Sequence, residues 1–407
     1  MIKIDSINAA IITDSRGEKT IEAALSSGDF ETKASVPCGK SKGENEAFCH
    51  TVEKSKQIIS DIMPKILAKG YSDQNDFDNF LLKLDQTENK ATLGVNVMLS
   101  LSIAFCRLYS LINHQEVYTT ISQLAETAPG KFPLLFFNLI NGGLHVPKSL
   151  FPLPFQEYLL IPKENSPKSS LEKVFSFIKI LQENLVKKGL TINYGDEGGF
   201  IITGENPEIG FQSFQDILNK EIVIKDGFYF GLDAAASSLW RKEQKDYFWN
   251  NGQVEHSWNI DELTNIYQAL SEKYPLLSIE DPFNQESWGD WANLNSKIGN
   301  KVWLVGDDLT VTNVKRIRQA KEQDCINAVL IKPNQIGTVS ETLDAVKLVK
   351  SYGWKTIVSH RSGETNDSFI ADLAFGVGAD GLKAGSPLQS QRLVKYTRLI
   401  EIEKSLQ

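Results

Sequence analysis

Six times in its C-terminal half, this chain repeats one unit: an apolar run of strand length, a polar or charged residue at its end, a loop, and an amphipathic helix. The runs are Phe228 to Leu232 before Asp233, Leu276 to Ile279 before Glu280, and Val302 to Gly306 before Asp307. They continue with Ala328 to Ile331 before Lys332, Thr356 to Ser359 before His360, and Gly381-Leu382 before Lys383. Helical spacings fill the gaps. Ile260, Leu263, Tyr267 and Leu270 share a face, and Val314 to Glu322 and Val339 to Tyr352 follow. Strands that are apolar throughout suit a sheet buried on both faces, and their alternation with helices is the rhythm of parallel βα units. An open doubly wound sheet and a closed barrel both satisfy that rhythm. All six polar residues sit where a strand hands over to its loop, the rim on which barrels build active sites. No glycine-rich phosphate loop follows an early strand, as a dinucleotide fold would require. The expectation is an α/β chain with a C-terminal (β/α)8-type barrel.

The first third reads differently. Residues 1 to 40 alternate apolar and polar positions around turn signals at Ser15-Arg16-Gly17 and Ser27-Gly28-Asp29, which predicts an antiparallel meander. Glu44 to Leu67 and Val95 to Ile112 then carry helical periodicity. A chain of 407 residues has room for one large barrel and a smaller module. With no Gly/Ser linker, the boundary is expected near Ala128-Pro129-Gly130, giving a capping α+β domain at 1–128 and the barrel with the active site at 129–407.

A net charge of -8, with lysines scattered along the chain, argues against nucleic acid as a partner, and an anionic substrate would need local positive groups. Cys38, Cys49, Cys106 and Cys325 form no CxxC pair and are read as reduced thiols of a cytoplasmic protein. The N-terminus lacks the pattern of a signal peptide. The stretch Val95 to Cys106 is interrupted by Asn and Ser and reads as too short to span a bilayer, so no membrane partner is expected.

Asp233, Glu280 and Asp307 end three separate strands, so a barrel would converge three carboxylates. Such a group repels itself unless a cation neutralises it, and all-oxygen ligands suit a hard ion such as Mg²⁺. One Asp at a strand end is as readily a helix cap; three in register are not. Lys332 ends the next strand, where a lysine beside a divalent cation can have a lowered pKa and act as a base. His360, Arg361, Ser362 and Lys383 add donors suited to phosphate or carboxylate, with a structural ion pair as the alternative role for Arg361. Gly195-Asp196-Glu197-Gly198-Gly199 places a carboxylate in a turn that permits close approach to a ligand.

With these residues in place, the chain resembles the enolase family over essentially its whole length. The motifs that carry the likeness include Asp14-Ser-Arg-Gly, Thr87-Glu-Asn-Lys, Asn141-Gly-Gly-Leu-His145 and Ser278-Ile-Glu-Asp-Pro-Phe. The most specific are Asp307-Asp-Leu-Thr-Val-Thr-Asn, Asn334-Gln-Ile-Gly-Thr and Ser359-His-Arg-Ser-Gly-Glu-Thr. A Lys base beside Mg²⁺ is the precedent of the enolase superfamily itself and is borrowed from it. The resemblance implies reversible dehydration of 2-phosphoglycerate, a small phosphorylated anion, to phosphoenolpyruvate. It implies a first Mg²⁺ on Asp233, Glu280 and Asp307, and a second ligated by Ser41 on loop closure. Lys332 would take the α-proton and Glu197 would act as the acid. Lys383 and His360 would hold the carboxylate end, Arg361 and Ser362 the phosphate. His145, Gln156 and Glu157 match the family's second active-site segment. The family fold, a small α+β cap on a barrel whose early strands run in an unusual order, is implied as well.

The chain departs from the family pattern in four places. Cys38-Gly-Lys-Ser-Lys-Gly43 stands where the family has Ser-Gly-Ala-Ser-Thr-Gly, and Gly143 to Pro154 is bulkier and richer in proline than usual. These loops motivate a second reading, a paralogue acting on a related phospho- or phosphono-carboxylate; a non-catalytic binding protein is a third. Pro333 follows the proposed base where Val is usual. Glu401 replaces an Arg that commonly pairs across a dimer, with Glu22 as partner, which sets repulsion in that contact and leaves homo-oligomerisation open.

Overall fold

The computed structural model describes residues 1–37, 39, 43–128, 130–220 and 227–407. Its N-terminal meander comprises β1 (Ser6–Thr13), β2 (Lys19–Ser27) and β3 (Phe30–Ser35), each antiparallel to the next. Four helices follow: α1 (Val52–Leu67), α2 (Gln74–Asp85), α3 (Val95–Ile112) and α4 (Val117–Ala125). The periodicity at Glu44 does not become helix until Val52, after the Thr51 side chain caps the Lys54 amide. The intervening backbone is spoken for elsewhere: Ala47 N–H donates to Gln335 O and Phe48 N–H to Asn89 O. Helix α3 runs beyond Cys106 to Ile112, 18 residues, and is long and apolar enough by composition to cross a membrane. It is instead the central helix of this unit, 78% buried, lying on β2 and β3. The expectation that its apolar stretch is too short is thus corrected; burial against the sheet explains its composition.

The barrel consists of β4 (Leu134–Asn141), β5 (Glu157–Pro162), β6 (Phe228–Asp233), β7 (Leu276–Glu280), β8 (Trp303–Gly306), β9 (Ala328–Ile331), β10 (Lys355–Ser359) and β11 (Gly381–Lys383). They pair in that order, and β11 closes onto β4 through Gly381↔Leu134 and Lys383↔Phe136. Only β5 runs antiparallel to its neighbours, so the early strands form a hairpin before the βα rhythm begins. The helices outside are α5 (Pro167–Lys187), α6 (Ile209–Lys220), α7 (Ile260–Lys273), α8 (Trp288–Ile298), α9 (Val314–Glu322), α10 (Val339–Ser351), α11 (Phe369–Gly376) and α12 (Ser390–Ser405). The six strands read from the sequence are all present with the expected residues at their C-terminal ends. Register puts those ends level: Asp233 pairs with Glu280 and Glu157, and Ser359 with Lys383. Pro333 opens a single helical turn, Pro333–Ile336, with Lys332 as its N-cap. A proline costs nothing at that first position because its missing N–H would have had no intrahelical partner.

The N-terminal helices dock on the barrel through a buried carboxylate. Asp78 on α2 accepts from Ser340 N (2.9 Å) and Ser340 Oγ (2.7 Å) at the start of α10, and from Ser102 Oγ (2.6 Å) on α3. Asp78→Ala takes the acceptor from the Ser340 N–H and from Ser102 Oγ, while Ser340 Oγ keeps Asn75 Oδ1 at 2.9 Å, and we expect a loss of about 1–3 kcal/mol in stability, read as a lower Tm or denaturant midpoint. An unchanged midpoint would mean that this junction contributes nothing to docking.

Candidate active site

The strand ends and the loops above them line a cavity of about 310 Å³. Asp233, Asp307, Lys332, His360, Arg361, Ser362 and Lys383 all face it, as do His145, Gln156, Glu157 and Glu197. Ser41, the expected ligand of a second cation, lies outside the described residues, as do Lys40 and Lys42.

The barrel brings the three expected metal carboxylates to one rim and spaces them between two lysines. Lys383 Nζ bonds Asp233 Oδ2 at 2.9 Å and Glu280 Oε2 at 2.7 Å, and lies 3.2 Å from Glu157 Oε2. Burial opposes its charge, but Asp233, Glu157 and Glu280 outweigh burial and hold the ammonium well above the lysine range. Lys332 Nζ is paired with Asp307 Oδ2, and Gln335 Nε2 donates to Asp307 Oδ1 at 2.9 Å. Here too burial is outweighed by the carboxylate, so Lys332 is raised, contrary to the lowered pKa that its proposed role suggests. Burial pushes Glu280 well above the carboxylate range, and the charge of Asp233 adds to it. The oxygens of Asp233, Glu280 and Asp307 do not gather into one cluster within 4.8 Å. Among the described residues the tight groups are His145 with Glu157 and Glu197, and Asp281 with Asp307 and Asp308.

Asp281 follows Glu280 directly, with its backbone in the left-handed region at φ 44°. Its two carboxylate oxygens accept the backbone N–H of Asp307 (3.0 Å) and of Asp308 (2.9 Å), bracketing the end of β8 against β7. That is how Asp307 comes to present its side chain to the cavity. Burial, with the nearby charge of Asp307, pushes Asp308 up to about 7.

On the opposite flank, Asn138 on β4 donates to Glu197 Oε2 at 3.1 Å, and Asn141 Oδ1 accepts from Gly199 N at 3.0 Å, fixing the glycine-rich turn. A Cβ on Gly199 or Gly195 would meet Asn141 Oδ1 at 2.7 Å, so this turn requires glycine for close approach. His145 Nδ1 lies 3.8 Å from Glu157 Oε1 and 4.0 Å from Glu197 Oε1. Burial, reinforced by Glu197, pushes Glu157 well above its ordinary value; burial would raise Glu197 too, but the hydrogen bond from His360 and the charge of Arg392 act against it and that carboxyl is held low. Arg361 is clamped by Glu46, at 2.9 Å and 3.0 Å, and also reaches Asn334 Oδ1 at 3.2 Å. In this state the expected phosphate ligand serves the ion pair that its sequence left as the alternative.

A divalent cation fits this donor set. The cavity is lined by eight carboxylates (Glu44, Glu46, Glu157, Glu197, Asp233, Asp281, Asp307 and Asp308) against the permanent cations Lys332, Arg361 and Lys383. Glu157 Oε2 is buried with no hydrogen bond. An anion can enter so acidic a site only in company with further positive charge, and oxygen ligands suit a hard ion.

Asp281, Glu46 and Arg392 were not singled out from the sequence. Asp281 sits inside a motif that was, beside Glu280; Glu46 and Arg392 carry no local signal of a site, because the partners that tie them to it, Arg361 for Glu46 and Ser362 for Arg392, lie on other elements.

Two family models match the chain: "Enolase, N-terminal domain" over residues 4–121 and "Enolase, C-terminal TIM barrel domain" over residues 130–407. Enolase B of Dictyostelium discoideum is 36% identical to it over 430 residues, which covers 100% of this chain and 96% of the relative. The enolase of Solanum lycopersicum is 36% identical over 437 residues, with the same shares covered.

Proposed function

The chain belongs to the enolase family, and from that we propose that it is a hydro-lyase that interconverts 2-phosphoglycerate and phosphoenolpyruvate with Mg²⁺. What supports this reading is an amine and a pair of carboxyls on facing walls of one cavity. Lys332 ends β9, four strands round the closed barrel from β5, which carries Glu157, and Glu197 stands beside Glu157.

Lys332 Nζ takes the proton from the carbon next to the substrate carboxylate, and the electron pair moves into that carboxylate. When the pair returns to form the double bond, it expels the hydroxide from the adjacent carbon. Glu157 and Glu197 stand together on the acid wall and as a pair supply the proton to the departing hydroxide, which extends the assignment of the acid beyond Glu197 alone. Lys383 and His360 orient the carboxylate end; Arg361 and Ser362 take the phosphate once Glu46 yields its place. Mg²⁺ on Asp233, Glu280 and Asp307 would draw the charge of Asp307 off Lys332 and supply positive charge where the dianion develops. A second Mg²⁺ at Ser41 belongs to the same proposal. Loops of residues 143–154 above the cavity would exclude water.

Following phosphoenolpyruvate by ultraviolet absorbance with 2-phosphoglycerate and Mg²⁺ tests the reading, and an intact protein without turnover would sink it. In the same assay Asp281→Ala, which loses both brackets on β8, is expected to lower kcat by about 10- to 100-fold, as for residues that orient a ligand. Asp281→Asn keeps one acceptor and should retain more; equal activity in all three proteins would remove Asp281 from any positioning role.

A further inference from the structure

Arg392 lies in the first turn of α12 and is fully buried, yet no carboxylate pairs with it among the described residues. Its five N–H groups meet five neutral acceptors. Nε donates to Gln389 Oε1 at 2.9 Å, Nη1 to Arg361 O at 3.0 Å, and Nη2 to Ser362 O at 2.8 Å and Asp196 O at 3.3 Å. Nη1 also donates to His360 Nδ1. The fold makes room for this: a Cβ on Gly385 would meet Arg392 Cδ at 2.2 Å. A buried cation with no direct carboxylate partner among the described residues is costly, and its acceptors here are not scattered. Asp196 adjoins the acid Glu197, whereas His360, Arg361 and Ser362 form the anion-binding strand end.

Arginine has no acceptor, so Nδ1 of His360 must be the bare nitrogen. A neutral imidazole then carries its proton on Nε2, which lies 3.3 Å from Glu197 Oε2. Burial, with Arg392 beside it, pushes His360 down to about 3, so the ring is neutral across the working range.

We propose that Arg392 is a positioning residue that sets His360 in the Nε2–H tautomer, aimed at Glu197, and ties the acid turn and the anion-binding strand end into one unit. The inference rests on the hydro-lyase reading for its catalytic consequence, but not for its tautomer. Nitrogen-proton NMR of uniformly ¹⁵N-labelled protein reads the tautomer directly, with His360 identified as the ring lost in His360→Gln. The wild type is expected to show protonated Nε2 and bare Nδ1; finding the proton on Nδ1 overturns the proposal whatever the variants do. Arg392→Lys keeps the charge but cannot span three carbonyls and a ring. It should give a mixture of tautomers and a kcat about 10- to 100-fold lower, with KM within about threefold and circular dichroism unchanged. An unaltered tautomer in Arg392→Lys, with kcat either intact or falling together with Tm, reduces Arg392 to a packing role. Absence of turnover in the wild type overturns the hydro-lyase reading separately, and a tautomer shift in Arg392→Lys still supports the brace.

Discussion

Lys332→Ala is expected to lower the rate of phosphoenolpyruvate formation by about 10²- to 10⁴-fold, the range for a lost general base. The size of the effect follows from the cavity. Lys383, the other amine that faces it among the described residues, is held between Asp233 and Glu280 with Glu157 beside it. The His360 ring reaches Glu197 on the acid side. The substitution leaves the backbone cap of the Pro333–Ile336 turn in place, and Lys332 N–H still donates to Thr312 Oγ1, so secondary structure should survive. It does strip Asp307 of the cation that holds its carboxyl low against burial. The variant should therefore melt earlier than the wild type in chelator and recover in Mg²⁺, because a divalent ion on Asp307 replaces the missing charge. Retained turnover in a folded variant would show that the base is assigned wrongly.

Removing divalent cations should abolish turnover outright, and adding Mg²⁺ should restore it. Binding to the folded state alone stabilises by about 2.7 kcal/mol at a concentration of 100 Kd, so a calorimetric or fluorescence melt should move upward with Mg²⁺. Asp233→Asn should lose both responses. Its carboxylate bonds Lys383 at 2.9 Å and its Oδ1 accepts Ala235 N at 3.1 Å, so the asparagine can keep the turn while giving up the charge that an ion requires. Full activity in chelator, or a melt indifferent to Mg²⁺, would refute a metal-assisted reaction at these strand ends.

Apolar runs that each end in a polar residue were enough to read the barrel and to name Asp233, Asp307, Lys332, His360 and Lys383 on its cavity, because strand-end position is a property of local pattern, whereas His145, Gln156 and Glu157 came only from the resemblance. Pattern failed where contacts are remote. The residues after Glu44 look helical by spacing, but their amides are taken by Gln335 and Asn89. The apolar content of α3 reads alike for a membrane and for a core, and only its seat on β2 and β3 separates them. Resemblance supplied roles for Glu197 and Arg361, but not their surroundings: Glu197 stands against Glu157 and His145, and Arg361 is held by Glu46.

What the sequence by itself determined is the alternation of elements, the residues that end each barrel strand, and through its motifs the family. Those depend on composition and spacing along the chain. The tertiary structure decided which charges meet. Asp281 bracketing β8, Lys383 between Asp233 and Glu280, and Arg392 spanning Asp196 and His360 join positions far apart in the chain. Their strength comes from burial, which no local pattern records, because a charge's pKa and its partner are set by what the fold places around it.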